Sequence, residues 1–361
     1  MKVNSEKFRS IWRDKSSKEV KIIDQRYLPH SLKVIKLASL NDYCAAISDM
    51  KVRGAPLIGV TAAFAVADSM AKDPSDKNLQ ITCDLLSETR PTAVNLFWAL
   101  NFFRDKLSKI NDNRRAEEAH KLADSLAEED IQKNKAIGQE GFRILADLSN
   151  KKNHEVVNVL THCNAGWLAT VDWGTALAPI FRANREGVKI HVWVDETRPR
   201  NQGGLTAWEL AHEDIDHTIV VDNSGGYLMQ RGLVDLVIVG SDRTTSAGDV
   251  CNKIGTYLKA LAAKDNNIPF YAALPSSTID WDVQNGLNDI PIENRSSREI
   301  DHISGLDSDG TLKTIRLYSE KVKSLNPAFD VTPSKFVTGI ITEKGTFDPN
   351  EEILRKAFGK L

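Results

Sequence analysis

The chain has 361 residues, with 47 Lys and Arg against 49 Asp and Glu for a net charge of -2, and the two signs are interspersed. No basic stripe suited to a nucleic-acid backbone is present, so nucleic acid is excluded as a main partner. Hydrophobic content of 41% with 27% charged residues excludes a disordered chain, and at roughly 150 residues per domain the length predicts two domains.

Residues 18–37 carry two β-prone runs, Val20 to Ile23 and Leu32 to Leu37, around a Pro-containing turn, which predicts a hairpin. Helical spacing follows over Asp42–Met50, Pro56–Met70, Pro91–Ile110 and Arg114–Leu148, broken by Gly, Pro and Asn/Asp clusters. Within these, Phe97, Trp98, Phe102 and Phe103 are expected in the core, and Arg114–Asp130 on a solvated face. The longest apolar stretch, Leu57 to Ala67, is far short of the roughly 20 residues a membrane span needs. The first residues hold no apolar leader, so a cytoplasmic protein without membrane partners is expected.

From residue 150 short β-branched runs alternate with helical segments: Val156–Leu160, Val188–Val194, Thr218–Val221, Leu236–Val239, Pro269–Ala273 and Phe336–Ile341. This rhythm predicts an α/β fold, a Rossmann-like C-terminal domain with a parallel wound sheet, after a smaller, mainly helical N-terminal domain that begins with the β-hairpin. The expected division is residues 1–150 and 151–361, with the joint near Lys151–Glu155.

In such a sheet ligands bind beyond the carboxyl ends of the strands. Four run ends there are polar: Thr161-His162-Cys163-Asn164, Asp195-Glu196-Thr197-Arg198 continuing to Gln202-Gly203-Gly204, Asp222-Asn223-Ser224, and Gly240-Ser241-Asp242-Arg243 continuing to Asn252-Lys253. These four ends are expected to converge on one rim. Cys163 is expected at the start of a helix containing Ala165–Ala183, where the helix dipole favours a thiolate. Asp242 reads either as an acid or as a structural ion-pair partner. His162 beside Cys163 points to the opposite face of an extended segment, which disfavours a dyad. In the N-terminal half, Arg53-Gly54-Ala55-Pro56 and Arg90-Pro91 place arginines on loops that start helices, an arrangement suited to phosphate. Cys44, Cys83, Cys163 and Cys251 form no CxxC pair and no metal spacing with the eight histidines, so neither a disulfide framework nor a metal site is expected.

The strings RGAPLIGV (from Arg53), ETRPTAVNLFWAL (from Glu88), LTHCNAGWLAT (from Leu160), GTAL (from Gly174), DETRPRNQG (from Asp195), LTAWEL (from Leu205), GDVCNKIGTY (from Gly248), DIPIENR (from Asp289) and NPAFDVTP (from Asn326) resemble the methylthioribose-1-phosphate isomerases. That family shares a superfamily with regulatory subunits of the translation initiation exchange factor and with ribose-1,5-bisphosphate isomerases. The resemblance implies conversion of the aldose methylthioribose 1-phosphate to the ketose methylthioribulose 1-phosphate in methionine salvage, without cofactor, by a homodimer. Carried onto this chain, the catalytic pair falls on Cys163 and Asp242. The substrate contacts fall on Arg53, Gly54, Ala55, Arg90, Gln202, Asn252 and Lys253.

The chain departs from the family pattern at Gly203-Gly204, one residue and one Arg short, and at Val171–Trp173, Asp222–Gly226 and Gly240–Asp249. These departures leave the catalytic pair in place and bear on the substituent at C5 of the sugar. The alternatives are therefore an isomerase of 5-deoxyribose 1-phosphate or another 5-modified pentose 1-phosphate, and a non-catalytic regulatory subunit that binds sugar phosphate. A dehydrogenase is disfavoured because no GxGxxG follows a strand.

Overall fold

The computed structural model describes residues 1–90 and 93–359. Near its start the expected hairpin is part of a three-stranded antiparallel sheet, Ile11–Arg13, Val20–Ile23 and Val34–Leu37, in which Ile22 faces Ile11 on one side and Ile35 on the other. Helices follow at Leu40–Ser48, Ala55–Lys72, Asp76–Thr89, Val94–Leu107 and Asp112–Lys151. The first opens with a capping box between Ser39 and Asp42, which satisfies two otherwise unpaired amides. Pro91, the expected start of one helix, lies outside the described residues.

Asp76–Thr89 was not anticipated, because its polar composition masks a regular inward stripe of Leu79, Thr82, Cys83 and Leu86. Ala55–Lys72 is apolar on nearly every side and buried along most of its length, as a central core helix must be. The expected aromatic core is only partly so. Phe103 is buried, whereas Phe97 and Trp98 are partly exposed, with Trp98 stacked on Phe102.

The second half forms a seven-stranded sheet. Numbered along the chain, its first six strands (Val157–Thr161, Ile190–Asp195, Asp216–Val220, Leu236–Val239, Phe270–Ala273 and Gly339–Thr342) are all parallel and lie in the order 3-2-1-4-5-6, with Gly345–Phe347 antiparallel at the edge. The last expected run, Phe336–Ile341, starts as strand only at Gly339, after a short helical turn at Ser334–Phe336. This order reverses direction between Val157–Thr161 and Leu236–Val239, which opens a crevice at their carboxyl ends. A four-stranded mixed sheet, in the order Ile279–Asp280, Arg243–Thr245, Val250–Lys253 and Phe329–Thr332, was not foreseen. It stands over that crevice and carries Asn252 and Lys253. Among the described residues no helix is long and apolar enough to cross a membrane.

The helix Asp112–Lys151 packs against both Ala55–Lys72 and Leu177–Arg185, so its inward stripe is dry. Asp130, expected on a solvated face, lies on that stripe and is buried. Burial pushes its carboxyl up to about 7, against the pull of the Val171 amide that donates to it at 2.8 Å. The native state thus holds this proton more tightly than the unfolded chain. The resulting stability is greatest below the ordinary carboxylate value of 3.8 and is lost as pH rises toward about 7. Asp130→Asn keeps an acceptor for the Val171 amide and should raise Tm at pH 8 by the equivalent of about 2 kcal/mol. Thermal melts at pH 8 and pH 4 check this, since the gain should vanish at the lower pH.

Candidate active site

Cys163 lies two residues beyond the strand Val157–Thr161, and Asp242 three beyond Leu236–Val239. The two loops touch: a Cβ added at Gly240 would come within 2.7 Å of the Ala165 side chain. All nine residues singled out in the sequence (Cys163, Asp242, Arg53, Gly54, Ala55, Arg90, Gln202, Asn252 and Lys253) line one cavity at this point. Of the four polar strand ends expected on its rim, three contribute lining residues. The end at Asp222-Asn223-Ser224 does not. Asp222 instead accepts from the backbone N–H groups of Thr197 and Arg198, each at 2.8 Å, and so fixes the neighbouring loop.

Cys163 does not start a helix, contrary to expectation. The helix in that region begins only at Leu177, after a short turn at Trp167–Ala169. Cys163 adopts a left-handed backbone conformation, φ 69°, which costs a non-glycine residue about 1–2 kcal/mol. Two threonines hold it there. Its N–H donates to Thr197 Oγ1 and its carbonyl accepts from Thr206 Oγ1, both at 2.8 Å. The helix dipole expected at Cys163 is therefore absent. Burial pushes the thiol above its ordinary value, and the nearby Arg53 and Lys253 only partly oppose it.

Burial likewise raises Asp242, while Lys253, Arg90 and Arg53 pull it back. Lys253 is itself lowered by burial, with its ammonium 4.8 Å from the Phe329 ring centre, and burial also lowers Arg53. Arg53, Arg90 and Lys253 are each less than a tenth exposed. Arg90 meets Glu293 at 3.5 Å, and Arg53 Nη2 donates to Asn164 Oδ1 at 2.5 Å. Arg53 Nε, Arg90 Nε and Gln202 Oε1 have no hydrogen-bond partner among the described residues. Buried polar groups left unpaired are costly, and a cluster of them on one cavity wall is prepared for a polar, anionic guest.

Gly54 completes the cradle at the N-terminus of Ala55–Lys72, where backbone amides and the helix dipole favour an anion. Its φ is 92°, and an added Cβ would lie 2.3 Å from the Ala169 carbonyl oxygen. Gly54→Ala should therefore cost about 3 kcal/mol in stability from left-handed strain and overpacking combined. A melt checks this, and a loss below about 1 kcal/mol would show that the loop simply moves aside.

Three groups were given no role from the sequence. Asn164 connects Arg53 to Thr206 and Glu209. Glu209 sits fully buried in the otherwise apolar helix Gly203–His212, and an acid in such a helix was the available signal. Beneath the site His162, Asp195 and Asp222 offer ligand atoms within 4.8 Å of one another. They are already engaged: His162 bonds Asp195 and the Ile254 carbonyl, and Lys259 lies 3.2 Å from Asp195. This is a buried ion-pair network joining strand ends, and it keeps His162 away from Cys163 chemistry.

The chain matches the initiation factor 2 subunit family over residues 51–349. It is 54% identical to the methylthioribose-1-phosphate isomerase of Brucella anthropi over 360 residues, 99% of each chain. It is 55% identical to that of Rhizobium meliloti over the same length, again 99% of each. Among solved structures, 5-methylthioribose 1-phosphate isomerase from Pyrococcus horikoshii OT3 superposes with a TM-score of 0.83 at 38% identity, covering 98% of this chain and 96% of that one. The translation initiation factor eIF-2B subunit delta from A. fulgidus gives a TM-score of 0.79 at 38% identity, covering 98% and 100%. The chain therefore belongs to the initiation factor 2 subunit family, in its methylthioribose-1-phosphate isomerase branch.

Proposed function

We propose that this protein is an aldose-ketose isomerase that converts 5-methylthioribose 1-phosphate to 5-methylthioribulose 1-phosphate, with Cys163 and Asp242 as the catalytic pair. The observation that carries the reading is the grouping around one cavity of a thiol, a carboxyl and three buried cations, two of them with an unpaired N–H. An aldose whose C1 oxygen bears phosphate cannot open its ring spontaneously, so an acid must protonate the ring oxygen. Asp242 suits that step, since burial raises its carboxyl.

Arg53, Arg90 and Lys253, with the amides after Gly54, would hold the phosphate, and Gln202 and Asn252 the sugar hydroxyls. A bound phosphate neutralises the three cations that stabilise ionised Asp242. Substrate binding therefore strengthens the proton's hold on Asp242 and readies the acid. Once the ring is open, Cys163 would move a proton from C2 to C1 through an enediolate-like intermediate. The apolar lining residues Met50, Ile58, Ile290 and Phe329 support a methylthio group at C5 rather than a charged one.

The same reading includes a homodimer, supported by Ile219 and Val221, exposed at the open edge of the sheet. It also includes a cytoplasmic location and a division of the chain near residue 150. A proton NMR time course with methylthioribose 1-phosphate and, separately, 5-deoxyribose 1-phosphate tests the proposal. Conversion of the first should exceed that of the second by about tenfold in kcat/KM, the worth of one thioether-sized group in an apolar pocket. The opposite ranking would move the assignment to a 5-deoxy sugar. No conversion of either by folded protein would leave a regulatory subunit as the better reading.

A further inference from the structure

Glu209 lies outside the catalytic pair and the phosphate-binding cations, yet its carboxyl contact with Asn164 leads directly to Arg53. The residue is fully buried on the helix Gly203–His212. Its Oε1 accepts from Asn164 Nδ2 at 2.8 Å and from the Leu168 amide at 3.2 Å, and its Oε2 accepts from the Trp167 amide at 2.8 Å. The loop wraps the carboxylate so closely that a Cβ on Gly166 would lie 1.8 Å from Glu209 Oε2.

We infer that Glu209 is a positioning residue that sets the Arg53 phosphate contact by fixing the orientation of the Asn164 amide; the inference rests on the isomerase reading above. Both Glu209 oxygens accept from N–H groups, the Asn164 NH2 among them, so Glu209 meets the NH2 end of Asn164. The carbonyl end of that amide must then face Arg53, which donates to it. The same NH2 group donates to Thr206 Oγ1 at 3.2 Å, whose hydroxyl donates to the Cys163 carbonyl. The buried carboxyl group thus orients the guanidinium through Asn164, while the second branch reaches only the backbone carbonyl of Cys163.

A side chain chosen for packing alone would not be ionisable here, because burying a charge is expensive. Burial pushes the Glu209 carboxyl up to about 7, against the pull of Asn164, the Leu168 and Trp167 amides and Arg53. Glutamine at this position has the same shape but can present either its carbonyl or its NH2. It would therefore allow Asn164 to flip and turn NH2 toward Arg53.

The test is steady-state kinetics on Glu209→Gln, Arg53→Met and the double variant, with methylthioribose 1-phosphate as substrate and melts as the fold control. Arg53 contacts the phosphate in both ground and transition states. Its misalignment should therefore raise KM about tenfold while kcat stays within about threefold. In the double variant KM should be no worse than in Arg53→Met alone, because Glu209 acts through Arg53. Asn164→Ala cuts the same link from the other side and should reproduce the KM rise if Glu209→Gln does not fold. Additive losses, or a fall in kcat with KM unchanged, would overturn the inference.

Calorimetric titration with inorganic phosphate separates this inference from the isomerase reading. A wild-type protein without turnover sinks the isomerase reading, whereas about tenfold weaker phosphate binding by Glu209→Gln than by wild type upholds the role of Glu209. Equal phosphate affinity in the two would reject that role even if the isomerase reading stands.

Discussion

Asp242→Asn should lower kcat for methylthioribose 1-phosphate by about 10³-fold, near the middle of the range that a positioned general acid contributes. The amide matches a protonated carboxyl in size and charge but has no acidic proton to give the ring oxygen. Folding should be unaffected, because the bond that anchors the residue is its backbone N–H donating to the Cys251 carbonyl at 2.9 Å. KM should stay level or fall. The ionised carboxylate counteracts Lys253, Arg90 and Arg53, and removing its charge leaves all three to the phosphate. A matching rise in KM with little change in kcat would instead make Asp242 a binding residue and move the acid elsewhere. Steady-state kinetics beside a melt decides between these outcomes.

The wound sheet could be read from the sequence because its central parallel strands are buried on both faces and appear as short β-branched runs. Val157–Thr161 and Leu236–Val239 are of this kind. The position of the site followed, since polar strand ends at a topological switch are where such sheets bind ligands. The strand Val250–Lys253 was missed because VCNK has no run of β-branched residues, and one of its two pairing partners, Phe329–Thr332, comes from a distant part of the chain. Its Asn252 and Lys253 were nevertheless assigned, through motif resemblance rather than pattern.

Two errors at the site have one physical origin. A helix was expected directly after Cys163, whereas Asn164–Thr170 is held irregular by the buried carboxylate of Glu209. That carboxylate lies some forty residues away along the chain, and no local propensity reports it. The thiolate-favouring dipole was inferred from the same absent helix. Asp130 failed for a related reason. A helix as long as Asp112–Lys151 turns part of its charged sequence inward where it crosses from one packing partner to the other.

Cys163→Ala should abolish isomerisation by a further comparable factor, about 10³-fold in kcat, without unfolding the protein. The thiol makes none of the bonds that hold the loop; Thr197 and Thr206 grip only the backbone. Cys163→Gly sharpens the control. Relieved of the left-handed penalty at φ 69°, it should melt no lower than the parent while being equally inactive. Burial raises both Asp242 and Cys163, so kcat/KM should follow a bell. Its acid limb should lie above the ordinary carboxylate value of 3.8 and its alkaline limb above the ordinary thiol value of 9.0. Activity falls on the acid side as the second of the two groups gains its proton, and on the alkaline side as the last proton leaves the pair. Deuterium tells whether Cys163 moves a proton. Turnover in D2O should place deuterium at C1 of the ketose, at less than one atom per turnover, because a thiol in so closed a cavity returns part of what it takes from C2. Ketose free of deuterium after many turnovers would replace the proton route with a direct hydride shift from C2 to C1. Cys163 would then serve only to hydrogen-bond the migrating centre, and the loss in Cys163→Ala should be far smaller than 10³-fold.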